Sequence, residues 1–190
     1  MTSVRSSIQT AVEVPLWAFT FYRTHLFLIV GISLLPAAQR FVAILWGWNL
    51  PSPGDLALEI LVMGVRLLLF GVIVWLAISR DDTLSQVNSG ERWARMKAFI
   101  STQWPSLIVQ FVLLTGAVII FDVIPEQIIV QWIPANLESI YLASLIAVKN
   151  LTVIAFTMIW MVGIVRQMML YSRDAVERTG TEPISAEVHQ

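Results

Sequence analysis

The sequence predicts an all-α integral membrane protein with four transmembrane helices. Three observations carry that prediction: four apolar stretches of spanning length, a sparse charge content, and arginines and lysines that collect on one side of the implied membrane. Charged residues make up 13% of the 190-residue chain, against ~25% in soluble domains. With a mean hydropathy of +0.74, too little polar surface remains to cover a water-soluble fold.

The amino-terminal segment, Met1 to Thr24, carries Arg5, Glu13 and Arg23. It lacks a compact apolar region followed by a small-residue cleavage site, so it is expected to stay in the mature chain. Between Ser7 and Tyr22 the apolar positions crowd the later half around Pro15. That pattern predicts a short interfacial helix with Trp17 at headgroup depth, the alternative being a cytoplasmic lead-in to the first span.

The first span runs from Leu26 to Trp46. Pro36 removes a backbone donor from its middle, so a kink is expected there, with Ser33 placed to satisfy the freed groups. A Pro- and Gly-rich turn from Trp46 to Asp55 leads to the second span, Leu56 to Ile78, whose only charges are Glu59 and Arg66. It ends at Arg80-Asp81-Asp82. From Thr83 to Gln103 the chain becomes amphipathic, with Trp93, Met96, Phe99 and Ile100 on one helical face, and a second interfacial helix is expected. Pro105 suits the first turn of the third span, Ser106 to Ile124, which is expected to stop at Asp122 and Pro125. The fourth span covers Ile140 to Val165 with Lys149 and Asn150 inside it, and the polar tail 179–190 is expected to be disordered.

Orientation follows from the positive-inside rule. Arg5 and Arg23 precede the first span; Arg80, Arg92, Arg95 and Lys97 separate the second from the third; Arg166, Arg173 and Arg178 follow the fourth. The opposite side holds Arg40 among Asp55, Asp122, Glu126 and Glu138. Both termini are therefore expected in the cytoplasm of a bacterial-type plasma membrane. Eight tryptophans divide between the two boundaries, as aromatic belts require.

A candidate internal repeat divides the chain into 1–82 and 83–178. One constant offset lays Pro51 on Pro134, Asp55 on Glu138, Arg66 on Lys149 and Leu68 on Leu151. Each half then reads as interfacial helix, span, outer loop and span with one buried cation. Two spans per half preserve direction, so the halves would be related by a parallel pseudo-two-fold along the membrane normal.

Composition excludes several functions. Cysteine is absent, which removes disulfides, thiolate metal sites and cysteine nucleophiles. The two histidines, His25 and His189, cannot build a histidine metal cluster or a two-histidine haem within one chain. No catalytic triad, phosphate-cradling loop or acidic metal motif occurs, so no enzyme activity, cofactor or metal is expected. A net charge of -1 without a separate basic patch points away from nucleic acid.

Attention therefore falls on Arg66 and Lys149. A cation near the centre of a span costs ~2.5 to 3.5 kcal/mol on insertion scales and needs compensation. Glu59, two helical turns along from Arg66, together with Asp122 and Asn150, are the candidate partners within the chain. Two functions fit such cations. They could pair with acids on other membrane subunits or on a second copy, making the protein a non-catalytic accessory or assembly subunit of a plasma-membrane complex. Alternatively, they could line the site of a small carrier or lipid- or anion-binding protein.

Overall fold

The computed structural model describes residues 4–46 and 52–171. The expected disordered tail, together with Trp48, Arg173 and Arg178, lies outside those residues. Every regular element among the described residues is helical: α1 (Val4–Thr24), α2 (Leu26–Trp46), α3 (Ser52–Val74), α4 (Asp82–Ser85), α5 (Ser89–Val118), α6 (Glu138–Leu151) and α7 (Val153–Leu170). α3 closes with a π-helical turn, Trp75–Ser79, and α5 continues as a π-helix, Ile119–Ile128, and a 3-10 turn, Ile129–Trp132.

Four helical stretches are long and apolar enough to cross a membrane: Leu26–Trp46, Leu56–Ser79, Ser89–Trp132 and Glu138–Leu170. Each contains or coincides with one expected span. The third and fourth extend beyond the sequence-derived limits, because amphipathic or polar segments continue the same helix.

The long helices are bent at particular residues. α1 passes into α2 with the hydrogen-bond ladder kept through the junction, His25 N donating to Phe21 O and Ile29 N to His25 O, each at 3.0 Å. Together they extend about 60 Å at ~1.5 Å rise per residue, roughly twice a hydrocarbon core. α5 departs from helical geometry at Gln103 (φ -112°, ψ 20°), two residues before Pro105, whose missing N–H and ring favour a break there. α6 and α7 meet at Thr152 (φ -113°, ψ -69°). Thr152 donates to Val148 O from both N, at 2.9 Å, and Oγ1, at 2.7 Å, a local back-bonding that bends helices. α2, by contrast, stays helical through Pro36, and the buried Ser33 Oγ has no hydrogen-bond partner.

Two layers of packing follow. In one half of the molecule α2 packs against both α6 and α3; in the other half α1, α5 and α7 form a three-helix group. The shared core draws Val14, Ala18 and Phe21 from α1, Leu69 and Ile73 from α3, and Ala155, Ile159, Trp160 and Val162 from α7. At Gly163 an added Cβ would sit 2.8 Å from two ring carbons of Trp17, so glycine is needed for α1 and α7 to approach this closely. Small residues at helix contacts serve that end in membranes, where lipid is as apolar as leucine and packing has to supply the attraction.

Candidate functional site

Of the two cations singled out by their position in apolar spans, Arg66 is hydrogen-bonded to the residue next to Lys149. α3 carries Arg66, and the last turn of α6 carries Lys149 and Asn150, which are 9% and 5% exposed. Arg66 Nη2 donates to Asn150 Oδ1 at 2.8 Å. Asn150 Nδ2 donates to Ile146 O at 2.8 Å, which holds the amide with its oxygen toward the guanidinium. Glu59, an expected partner of Arg66, is exposed on α3 and enters no salt bridge among the described residues. Of the candidate partners, the neutral amide of Asn150 on α6, and not the carboxylate of Glu59 on the same helix, bonds Arg66.

Lys149 faces two acids. Its Nζ donates to Glu126 Oε2 at 2.5 Å and pairs with Asp122 Oδ1. Both acids stand on the π-helix that continues α5, four residues apart and so on one side. Tyr141 Oη donates to Pro125 O at 3.0 Å, tying that segment to α6 between the two acids. The third span was expected to stop at Pro125; instead the helix widens there and continues. A proline inside a helix lacks the N–H for its i-4 bond and crowds that carbonyl, and a wider π turn relieves both. This is why Glu126 was read as an outer-loop acid and not as a site residue.

The ionic groups of the cluster are unequally covered. Lys149 is 11% exposed at its side chain, whereas Asp122 is 36% and Glu126 33% exposed. On the neighbouring α2, Arg40 lies close enough for its charge to act on Arg66, and Arg66 Nε is buried without a hydrogen-bond partner. One lysine against two carboxylates leaves excess negative charge on the α6 side, and two arginines leave excess positive charge on the α2–α3 side.

At the opposite end of the bundle is an ion pair that sequence reading did not anticipate. Asp81 Oδ2 accepts from Arg166 Nε at 2.8 Å and Nη2 at 2.5 Å. Its other oxygen accepts from Thr83 N at 3.0 Å and Leu84 N at 3.2 Å, capping α4. Burial pushes the Asp81 carboxyl up, but the bonds from Arg166 and the two amides outweigh it and hold the group below the usual carboxylate range. The only sequence signal for this pair was that each residue closes a span on the positive side. His25 packs against the Phe21 ring at 4.6 Å between centroids, and no group of three metal-ligating side chains occurs among the described residues.

The described residues are thus helical in every regular element, with four helices long and apolar enough to cross a membrane and a charge network carried on them. Comparison with known protein families, curated proteins and solved structures yields no match to this chain.

Proposed function

We propose that the protein is a non-catalytic subunit of a larger plasma-membrane assembly, with both termini cytoplasmic. One observation supports this above the rest: the third span is the least buried of the four, yet it carries Asp122 and Glu126, each about a third exposed. At ~1.5 Å rise, Lys149 lies about 16 Å along the helix from Glu138, near mid-depth if Glu138 marks the outer boundary. Partly uncovered carboxylates at that depth are costly against lipid and are stabilised when a neighbouring protein surface covers them. The excess negative charge specifies a neighbour that presents a cation or hydrogen-bond donors.

The same proposal includes a membrane placement and the repeat. Continuity of hydrogen bonding at His25 supports α1 as the lead-in of the first span, with Trp17 and Arg166 at the inner headgroup level. The order of helix, span, outer loop and span recurs in both halves, and Arg66, paired with Lys149 by the repeat register, is hydrogen-bonded to the residue next to that lysine.

Native mass spectrometry of the tagged protein, extracted gently from its own membrane, tests the assignment. A defined oligomeric mass that collapses in an Asp122→Asn, Glu126→Gln variant is expected; a monomer in every mild detergent would overturn it. The carrier or anion-binding reading rests on Arg66 Nε, left without a partner beside Arg40. It predicts a reproducible phosphate-bearing adduct on a lone monomer or homodimer.

A further inference from the structure

A cavity of about 220 Å³ lies where the ends of two candidate spans meet, away from the Arg66–Lys149 cluster. His25 directly precedes the first of them, Leu26–Trp46, and Arg80 directly follows the second, Leu56–Ser79. With Asp81, Arg166, Trp17 and Phe21 these two residues share its wall. The ends of spans stand at the level where the phosphates of a bilayer lie. At ~30 Å³ for each liquid water, the volume admits a small oxyanion with part of its hydration.

The polar capacity still open in this cavity is that of donors. Asp81 is the one acid of the wall, and its two oxygens already accept four N–H groups, from Arg166 Nε and Nη2 and from Thr83 N and Leu84 N. A carboxylate offers about four acceptor sites, so Asp81 is filled. Arg80, the first residue past the π-helical turn that closes α3, is exposed and makes no salt bridge or side-chain hydrogen bond with another described residue. Its guanidinium lies over the Trp75 ring, 4.8 Å from the centroid, a contact that offers no lone pair to its N–H groups. Arg166 lies over Trp17 at 5.1 Å, and its Nη1 takes no bond among the described residues. The His25 ring packs on Phe21 and is likewise without a side-chain hydrogen bond there. Two arginines against one aspartate leave a net positive charge. Open donors, a filled acceptor and a surplus cation together favour an anion.

We infer that this cavity binds a phosphate group, held by Arg80 and the free Nη1 of Arg166, with His25 donating to a further oxygen. Asp81 serves by fixing the Arg166 guanidinium in place. The phosphate could belong to a lipid headgroup or to a soluble compound, and the site chemistry is the same for both. None of these residues belongs to the Arg66–Lys149 cluster, so the inference is independent of the subunit assignment.

The full chain, exchanged into dodecyl maltoside, which is uncharged and carries no phosphate, would be titrated calorimetrically with inorganic phosphate. In a second arm, native mass spectra would be recorded after addition of dioleoyl phosphatidic acid or of dioleoylglycerol, which has the same chains without the phosphate. Saturable binding of a phosphate probe without retention of dioleoylglycerol is expected. Arg80→Gln should weaken it roughly tenfold, as loss of one charge-assisted partner among several would. Arg80 is exposed and bonds no described side chain, so this variant folds. Arg95→Gln makes the same charge change on α5, where Arg95 is paired with Glu91, and is the control that leaves binding unchanged. Retained phosphatidic acid assigns the site to a lipid headgroup; inorganic phosphate binding without it assigns the site to a soluble phosphate compound. Binding of neither probe, equal retention of dioleoylglycerol, or an Arg80→Gln effect no larger than that of Arg95→Gln would overturn the inference.

Discussion

Arg66 of α3 and Asn150 of α6 are joined by a 2.8 Å hydrogen bond from guanidinium to amide oxygen, in a chain where the neighbouring Lys149 takes two acids, Asp122 and Glu126. Arginine is thus balanced by a dipole and lysine by charge. Asn150→Leu removes the acceptor and leaves a buried guanidinium short of partners, which should cost about 1 to 3 kcal/mol. Asn150→Asp supplies a charged acceptor at the same place and should retain most of the stability. Unfolding midpoints in a fixed detergent distinguish the two; equal losses for Leu and Asp would show that the hydrogen bond is not what matters.

Lys149 holds two carboxylates together. Lys149→Met leaves Asp122 and Glu126 facing each other without a cation and should destabilise by about 1 to 3 kcal/mol, less than for a fully buried pair because both carboxylates are about a third exposed. Neutralising all three, with Lys149→Met, Asp122→Asn and Glu126→Gln, should recover most of that loss. A triple variant no more stable than the single one would show that net charge is not the cause.

Asp81 predicts a pH dependence of known sign. Its folded pKa is depressed, so its contribution is fully present above the unfolded carboxylate value and is lost as pH falls through the lower folded value. The stability gap between wild type and Asp81→Asn should stay level from neutral pH down to about 5 and shrink below about 4. Chemical denaturation across that range measures it, and a gap that widens on acidification would contradict the assignment.

Gly163→Ala is a packing test. The new methyl would meet the Trp17 ring at 2.8 Å, so the ring must move, at a cost of about 1 to 3 kcal/mol for an overpacked contact. Because Arg166 lies over the same ring, the tryptophan emission should shift in the same variant. An unshifted spectrum with unchanged stability would mean that α1 and α7 are less closely fitted than described.

The parts legible from sequence are those set by length and rarity. Spans show because a membrane core demands a fixed number of apolar residues, and Arg66 and Lys149 stand out because charges inside spans are scarce. What each cation touches is another matter. Glu59 is near Arg66 along the helix, but the facing helix supplies Asn150, and inter-helix register does not follow from one chain's hydropathy. Glu126 was hidden because proline usually ends a helix, and only the π-helical widening carries the chain past Pro125. Asp81 and Arg166 are separated by 85 positions, and nothing local announces that they meet.

The junctions at His25 and Thr152 are connected. Tyr22 lies just before the first and donates its hydroxyl to Leu151 O at 3.0 Å, just before the second. Two long helical columns, one continuous through His25 and one broken at Thr152, are therefore joined near one level by a single side chain. Such a construction behaves as two storeys with a pinned floor between them. Tilting of the upper storey, when a neighbour docks or the bilayer thins, would be delivered to the lower one as rotation about that joint.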